Sequence, residues 1–312
     1  MKYGIYLPTR GPTAEPEALA RLVREVEAAG FHSAMIADHI VFPVEVRSKY
    51  PYTADGVFPG GGDALDQIAL MAFVAGISEK LRLVSSIMVL PHRNPVVTAK
   101  MLATVDVLSK GRVTVGVGVG WMREEFEALR TADFDRRGAV SDEYIRIFKT
   151  LWTQDPAEFQ GEFYSFGPLH CRPFPVQKPH PPIWIGGHSR AALRRVARHG
   201  DGWHPVGANV AVPLRPAELA PLVSELKQRM EAEGRDFDAL DLSFKAPLYN
   251  PQEPMPDGER RPFTGSDEQI VEDIHAYRDL GFSELIFDIR TDSLAESLER
   301  MQRFTANVMR LA

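Results

Sequence analysis

The stretch Leu108-Ser109-Lys110-Gly111-Arg112-Val113-Thr114-Val115-Gly116-Val117-Gly118 reads as the end of a helix, a glycine turn and the start of an apolar strand. Residues from about Pro95 to Ser109 supply the helical pattern in front of it. The same order returns elsewhere in the chain. Leu19, Leu22, Val23, Val26 and Ala29 recur at helical spacing and stop at Gly30, before the run Phe31-His32-Ser33-Ala34-Met35-Ile36-Ala37. Residues 189–199 stop at Gly200 before Asp201-Gly202-Trp203, and the helix carrying Ile270, Ile274, Tyr277 and Leu280 stops at Gly281 before Leu285-Ile286-Phe287. Each of these glycines is expected to take the positive φ of a helix C-cap, a conformation that costs other residues a steric clash. The strands are short continuous apolar runs, which suits burial on both faces of a parallel sheet.

Working outward from these units, strands are expected near residues 3–7, 33–37, 82–89, 113–119, 182–186, 201–204, 241–246 and 284–288, each followed by a helical pattern. Eight strand-helix units with right-handed crossovers, in a chain of 312 residues, match an α/β protein of the closed (β/α)8 TIM-barrel type, with residues 1–312 as a single domain. An open doubly wound sheet is the alternative, but its nucleotide-binding forms usually have a glycine-rich turn after the first strand. Leu7-Pro8-Thr9-Arg10-Gly11-Pro12 has none. Two connections are long. Ile40 to Gly62 follows the second strand, which places its Tyr50 and Tyr52 at the C-terminal mouth of a barrel as a wall or lid. Residues 154–181, with six prolines, precede the fifth strand, and no role is read for them.

Composition narrows the function. The chain is 44% hydrophobic and 25% charged with a formal charge of −6, which argues against a nucleic-acid partner or a polybasic membrane surface. Cys171 is alone, so an intrachain disulfide and a thiolate zinc site are excluded, and the nine histidines are scattered without an H-E-x-x-H pattern, so no metal is expected. No apolar run approaches the roughly 18 residues of a membrane span, and Arg10 falls too early for a signal-peptide core. On these features a cytoplasmic protein is expected.

In a barrel, reacting groups come from strand C-termini and the loops behind them. The second strand ends at Asp38-His39, a carboxylate beside a side chain that titrates near neutrality; a proton donor or hydrogen-bond partner at the mouth is one reading and a loop cap the other. Ser85 and Ser86 lie inside the third strand, where they need either a ligand or bonds to neighbouring strands, and His92-Arg93 follow at its exit. Gly116, Gly118 and Gly120 leave one face of the fourth strand bare, which suits a flat ring or simply a crowded barrel interior. After the fifth strand, Gly186-Gly187-His188-Ser189-Arg190 opens a helix, an arrangement that offers backbone N–H groups to a phosphate. Gly187-His188-Ser189-Arg190-Ala191 also approaches a G-x-S-x-G nucleophile elbow. The last glycine is Ala191, however, and only His204 after Asp201 is available downstream for a triad.

Taken together, Leu90-Pro91-His92-Arg93-Asn94-Pro95 with Ala99-Lys100, Leu108 to Arg112, Gly116 to Trp121 with Glu124-Glu125-Phe126, and Ile185-Gly186-Gly187 resemble the luciferase-like flavin and deazaflavin oxidoreductases over nearly the whole chain. The Asp38-His39 pair and Tyr50-Pro51-Tyr52 are most similar to the branch using coenzyme F420, a deazaflavin that carries hydride. The resemblance implies a TIM barrel, Asp38 and His39 near the cofactor ring with His39 as acid or base, and a non-prolyl cis peptide at Ser86-Ile87 behind the ring. It further implies a cofactor phosphate on the N–H groups of Gly186 and Gly187, which agrees with the residue reading that sets His188 and Ser189 at the same turn and a flat ring against Gly116 and Gly118. Trp121 stands where sugar-phosphate dehydrogenases of this type carry a catalytic Glu, which points to another small organic substrate. The expected activity is hydride transfer with F420. The alternative is an FMN-dependent monooxygenase using reduced flavin and oxygen, and a third reading is cofactor binding without catalysis. The resemblance also implies a partner enzyme that supplies reduced cofactor, and a homodimer.

Overall fold

In the computed structural model, which describes residues 1–246 and 255–312, eight parallel strand positions close into a barrel. These are β1 (Lys2–Tyr6), β2 (Ser33–Ile36), β3 (Arg82–Ser85) continued by β4 (Met88–Val89), and β5 (Val113–Gly118). A hairpin of β6 (Ala157–Gln160) and β7 (Ser165–Leu169) lies outside the barrel, which then continues with β8 (Ile183–Gly186), β9 (Gly202–His204), β10 (Asp241–Ala246) and β11 (Glu284–Phe287). β11 pairs with β1, setting Leu285 opposite Tyr3, and β3 pairs with β5, setting Leu83 opposite Val113, so the sheet has no open edge. The chain therefore forms the (β/α)8 TIM barrel expected from its repeats.

Around it run α1 (Pro16–Ala28), α2 (Gln67–Ile77), α3 (Pro95–Leu108), α4 (Arg123–Leu129), α5 (Arg137–Thr153), α6 (Arg190–His199), α7 (Pro216–Ala232), α8 (Asp267–Asp279) and α9 (Leu294–Phe304). In α1, Leu19, Leu22, Val23 and Val26 are buried as one stripe, each worth about 1.5–3 kcal/mol relative to exposure. Side chains start several helices where the sequence places polar residues: Asn94 accepts from the N–H of Val96 in α3, and Ser189 from that of Ala192 in α6. None of the helices among the described residues is long and apolar enough to cross a membrane.

Gly30, Gly111 and Gly281 adopt φ of +88°, +84° and +96°, as their positions at helix ends predict. Gly200 does not. Its backbone is extended, with φ −83° and ψ 145°, and a Cβ there would lie 2.9 Å from Ile185 Cγ1. This glycine serves close packing of α6 on β8 rather than a left-handed turn.

The expected strand 82–89 is interrupted at Ser86-Ile87, whose peptide bond is cis. The proline-rich stretch 154–181 wraps the outside of the barrel. The Glu143 carboxylate on α5 accepts the N–H groups of Glu162, Phe163 and Tyr164, and Gln177 Nε2 donates to Asp106 Oδ1 and to the Val113 carbonyl where β5 begins. That region contributes nothing to the cavity described next.

Candidate active site

A cavity of about 660 Å³ opens at the C-terminal ends of the barrel strands, a size suited to an organic cofactor or substrate. Asp38 and His39 follow β2 but do different things. The Asp38 side chain has no exposed surface; both of its oxygens accept from the Arg93 guanidinium at 2.7 Å, and Oδ2 also accepts the Val89 N–H at 2.8 Å. The Val89 N–H ties the end of β2 to β4, and the bidentate pair ties it to the turn after β4. Burial alone would lower the Arg93 pKa, but Asp38 and Asp66 outweigh it and raise it.

His39 turns instead toward Glu125 on α4, with Nδ1 2.9 Å from Oε2. The carboxylate can only accept, so Nδ1 carries the proton, and Nε2 has no hydrogen-bond partner among the described residues. Glu125 is 1% exposed and also accepts the N–H groups of Ile40 at 2.8 Å and Val41 at 3.3 Å. Burial would raise its carboxyl pKa, but the His39 hydrogen bond, the charge of His92 and the Ile40 N–H hold it below the ordinary value. His92 lies 3.8 Å from the other oxygen, and burial pushes its own pKa down.

The long loop after β2 folds over this pair. Tyr50 and Tyr52 form the expected wall together with Phe42, Phe58 and Trp121: ring centroids are 5.1 Å apart for Tyr50–Trp121, 5.3 Å for Phe58–Trp121 and 5.2 Å for His39–Phe58. One side of His39 is thus enclosed by apolar rings.

Ser85 and Ser86 both find protein partners. Ser85 Oγ donates to the Gly116 carbonyl at 2.9 Å, while Ser86 Oγ lies 3.0 Å from His204 Nε2, whose Nδ1 is 3.0 Å from Ser243 Oγ. Burial, reinforced by Lys245, pushes the His204 pKa down to about 3, so the ring between the two serines is neutral. Ser86 and Ile87 line the cavity. The bare face of β5 is filled by this same segment, because a Cβ on Gly116 would collide with the Ser85 carbonyl and one on Gly118 with Ile87 Cδ1. A Cβ on Gly186 would stand 2.6 Å from the same Ile87 atom. The glycines therefore make room for the Ser85–Ile87 bulge; Gly118 reaches the cavity, and Gly116 is not part of its lining.

Gly186, Gly187 and Ser189 line the cavity at the start of α6, and His188 does not. Gly187 has φ +88°, and the nearest atom to a Cβ placed there is Ala192 Cβ at 3.6 Å, which leaves space on the ligand side. His188 is half-buried, with Nδ1 lacking a hydrogen-bond partner among the described residues and its pKa lowered by burial. Across the mouth stand Tyr6, Lys245, Asp288 and Arg290, none of which stood out in the sequence. The Lys245 ammonium sits 3.7 Å from the centre of the Tyr6 ring and the Arg290 guanidinium 4.7 Å from it, while Asp288 holds Arg290 through two hydrogen bonds. Lys245 and Asp288 lie at or beyond the ends of β10 and β11, where the strand-end rule alone would have found them. No group of three or more His, Cys, Asp or Glu able to hold a metal ion occurs among the described residues.

Residues 1–252 match the model of the luciferase-like monooxygenase family. An uncharacterized protein of Mycobacterium tuberculosis is 38% identical over 216 residues, covering 69% of this chain and 72% of that protein. The FMNH(2)-dependent dimethylsulfone monooxygenase of Pseudomonas putida is 36% identical over 170 residues, covering 53% of this chain and 47% of that protein. Among solved structures, the monooxygenase RslO1 from Streptomyces bottropensis superposes with a TM-score of 0.80 at 22% identity, covering 100% of this chain and 99% of that one. An F420-dependent secondary alcohol dehydrogenase in complex with an F420-acetone adduct superposes with a TM-score of 0.76 at 13% identity, again covering 100% and 99%.

Proposed function

We propose, for a chain that belongs to the luciferase-like monooxygenase family, an oxidoreductase that transfers hydride between coenzyme F420 and a small organic substrate. The observation that carries this reading is the His39–Glu125 pair facing the same cavity as the glycine turn of α6. The residues present fit a phosphorylated ring cofactor. Gly187, with φ +88°, keeps a side chain off the cavity wall at a helix start whose N–H groups suit an anion. Gly186, Gly187 and Ser189 would hold the phosphate, and Ser86, Ile87 and Gly118 would back the ring. When bound, the deazaflavin supplies the hydride-carrying carbon.

The chain's own residues do the rest. Glu125 accepts the Nδ1 proton of His39 and so leaves Nε2 as the atom that takes or gives a proton to substrate. Phe42, Phe58 and Trp121 pack around the His39 ring and narrow the access of water to one side of it, which strengthens polar contacts made there. Asp38, held by Arg93, accepts the Val89 N–H, fixes the end of β2 against β4 at the cavity wall and acts as a positioning residue. A separate reductase or dehydrogenase supplies the reduced cofactor, and two copies of the chain pair in solution.

The second reading is an FMN-dependent monooxygenase, favoured by the 36% identity to the dimethylsulfone enzyme. Equilibrium titration of the protein with F420 and with FMN, read by cofactor fluorescence, separates the two. Tighter binding of F420 is expected, and clearly tighter binding of FMN would overturn the preference.

A further inference from the structure

The cavity has a second cationic spot that the cofactor reading leaves unused. Lys245 is the penultimate residue of β10, half-buried, with its ammonium over the face of Tyr6 and no hydrogen-bond acceptor for it among the described residues. A cation over an aromatic face gains about 0.5–2 kcal/mol, and the ammonium keeps surface on the cavity, where an anion can reach it. Its neighbours do not neutralise it. From β11 and the turn after it, Asp288 is engaged by Arg290; His204 on β9 is neutral; Tyr6 on β1 is held protonated by burial. Arg10, also in the cavity lining, adds further positive charge. Beside this corner begins the aromatic wall of Tyr50, Tyr52, Phe58 and Trp121.

We infer that the substrate is an aromatic or similarly flat organic acid, whose carboxylate pairs with Lys245 while its ring lies against the Tyr50–Trp121 wall. The inference rests on the reading that α6 holds the cofactor phosphate, since that assigns the other anion-seeking turn elsewhere. Arg290, held by Asp288, shares the Tyr6 ring with Lys245. A carboxylate would supply the acceptor that Lys245 lacks, as a charge-assisted bond inside a site shielded from water. Burial lowers the pKa of Lys245 to about 7, with Asp288 opposing and Arg290 adding to the shift, so binding of the acid is strongest below neutrality and weakens as pH rises above it.

The test uses the full chain and two isosteric probes, benzoate and benzamide, titrated at pH 6.5 by calorimetry. Benzoate is expected to bind at least about ten-fold more tightly than benzamide. In Lys245→Met that preference disappears through loss of benzoate affinity alone, and Lys245→Arg restores part of it. Equal binding of the two probes, no binding of benzoate, or unchanged benzoate affinity in Lys245→Met would overturn the inference. Gly187→Val separates this from the cofactor reading. It is expected to lose F420 and keep benzoate, whereas loss of benzoate in that variant places the acid on α6 and overturns the Lys245 assignment. Failure of F420 to bind the wild-type protein, with the benzoate preference intact, refutes the cofactor reading alone.

Discussion

His39 and Glu125, 86 residues apart in the chain, meet through Nδ1 and Oε2 at 2.9 Å on the rim of the barrel. Because the same carboxylate accepts the N–H groups of Ile40 and Val41, it holds both the ring and the loop that carries the ring.

Replacing His39 with Ala is expected to slow hydride transfer by about 10²–10⁴-fold, the usual contribution of a positioned acid or base. The single-turnover rate with bound cofactor measures it. Cofactor affinity should stay within about two-fold. An unchanged rate removes His39 from the chemistry.

Glu125→Gln can keep its carbonyl on the Ile40 and Val41 N–H groups and turn its NH2 toward His39 Nδ1. The NH2 can only donate, so the ring must take the other tautomer, with Nε2 protonated. Then kcat should fall while KM changes little, and stability in urea titration should drop by no more than about 1 kcal/mol. Unaltered kcat leaves Glu125 a purely structural role.

Gly118→Ala places a methyl group against Ile87 Cδ1 and should displace that side chain into the cavity, weakening cofactor binding by about ten-fold or more. Adding Ile87→Ala should recover much of the loss, because the collision is with that side chain. Additive losses in the double variant would refute the idea that Gly118 exists to seat Ile87.

Lys245→Met should stabilise the protein at low pH. The native pKa of about 7 lies below the ordinary 10.5, so below pH 7 both native and unfolded chains hold the proton and the native state bears the full cost of a shielded charge. Between these values the unfolded chain binds more protons, and the cost fades as pH rises. Wild-type stability should therefore lie below that of the variant at pH 6 by roughly a few kcal/mol, read as a lower Tm, with the gap closing toward pH 10. A gap independent of pH would show that Lys245 is not held as described.

Asp38→Asn leaves Arg93 shielded and half-paired, and should cost about 3–5 kcal/mol in denaturant unfolding. Loss of activity without loss of stability would instead make Asp38 part of the chemistry.

The barrel and much of its mouth were legible in the sequence because both depend on local rules. Helical spacing, a glycine and an apolar run are each set within about a dozen residues, and their repetition leaves few ways to connect parallel strands. The glycine turn before α6 is likewise a local feature, visible as Gly186-Gly187 ahead of a capping Ser189. Closure decided the remainder. Glu125 reads as one of two acidic residues opening a short helix until β2 is brought beside α4, and Lys245 reads as a polar interruption of a strand until β1 and β11 place Tyr6 and Arg290 around it. Gly116 and Gly118 look like a bare floor in sequence, yet packing against Ser85 and Ile87 gives that space to the protein itself. Sequence by itself determined which elements form and which strand ends meet at the mouth. Which side chains touch, and which charge is left without a partner, came only from tertiary packing, because those contacts join residues up to hundreds of positions apart and depend on burial rather than on local spacing.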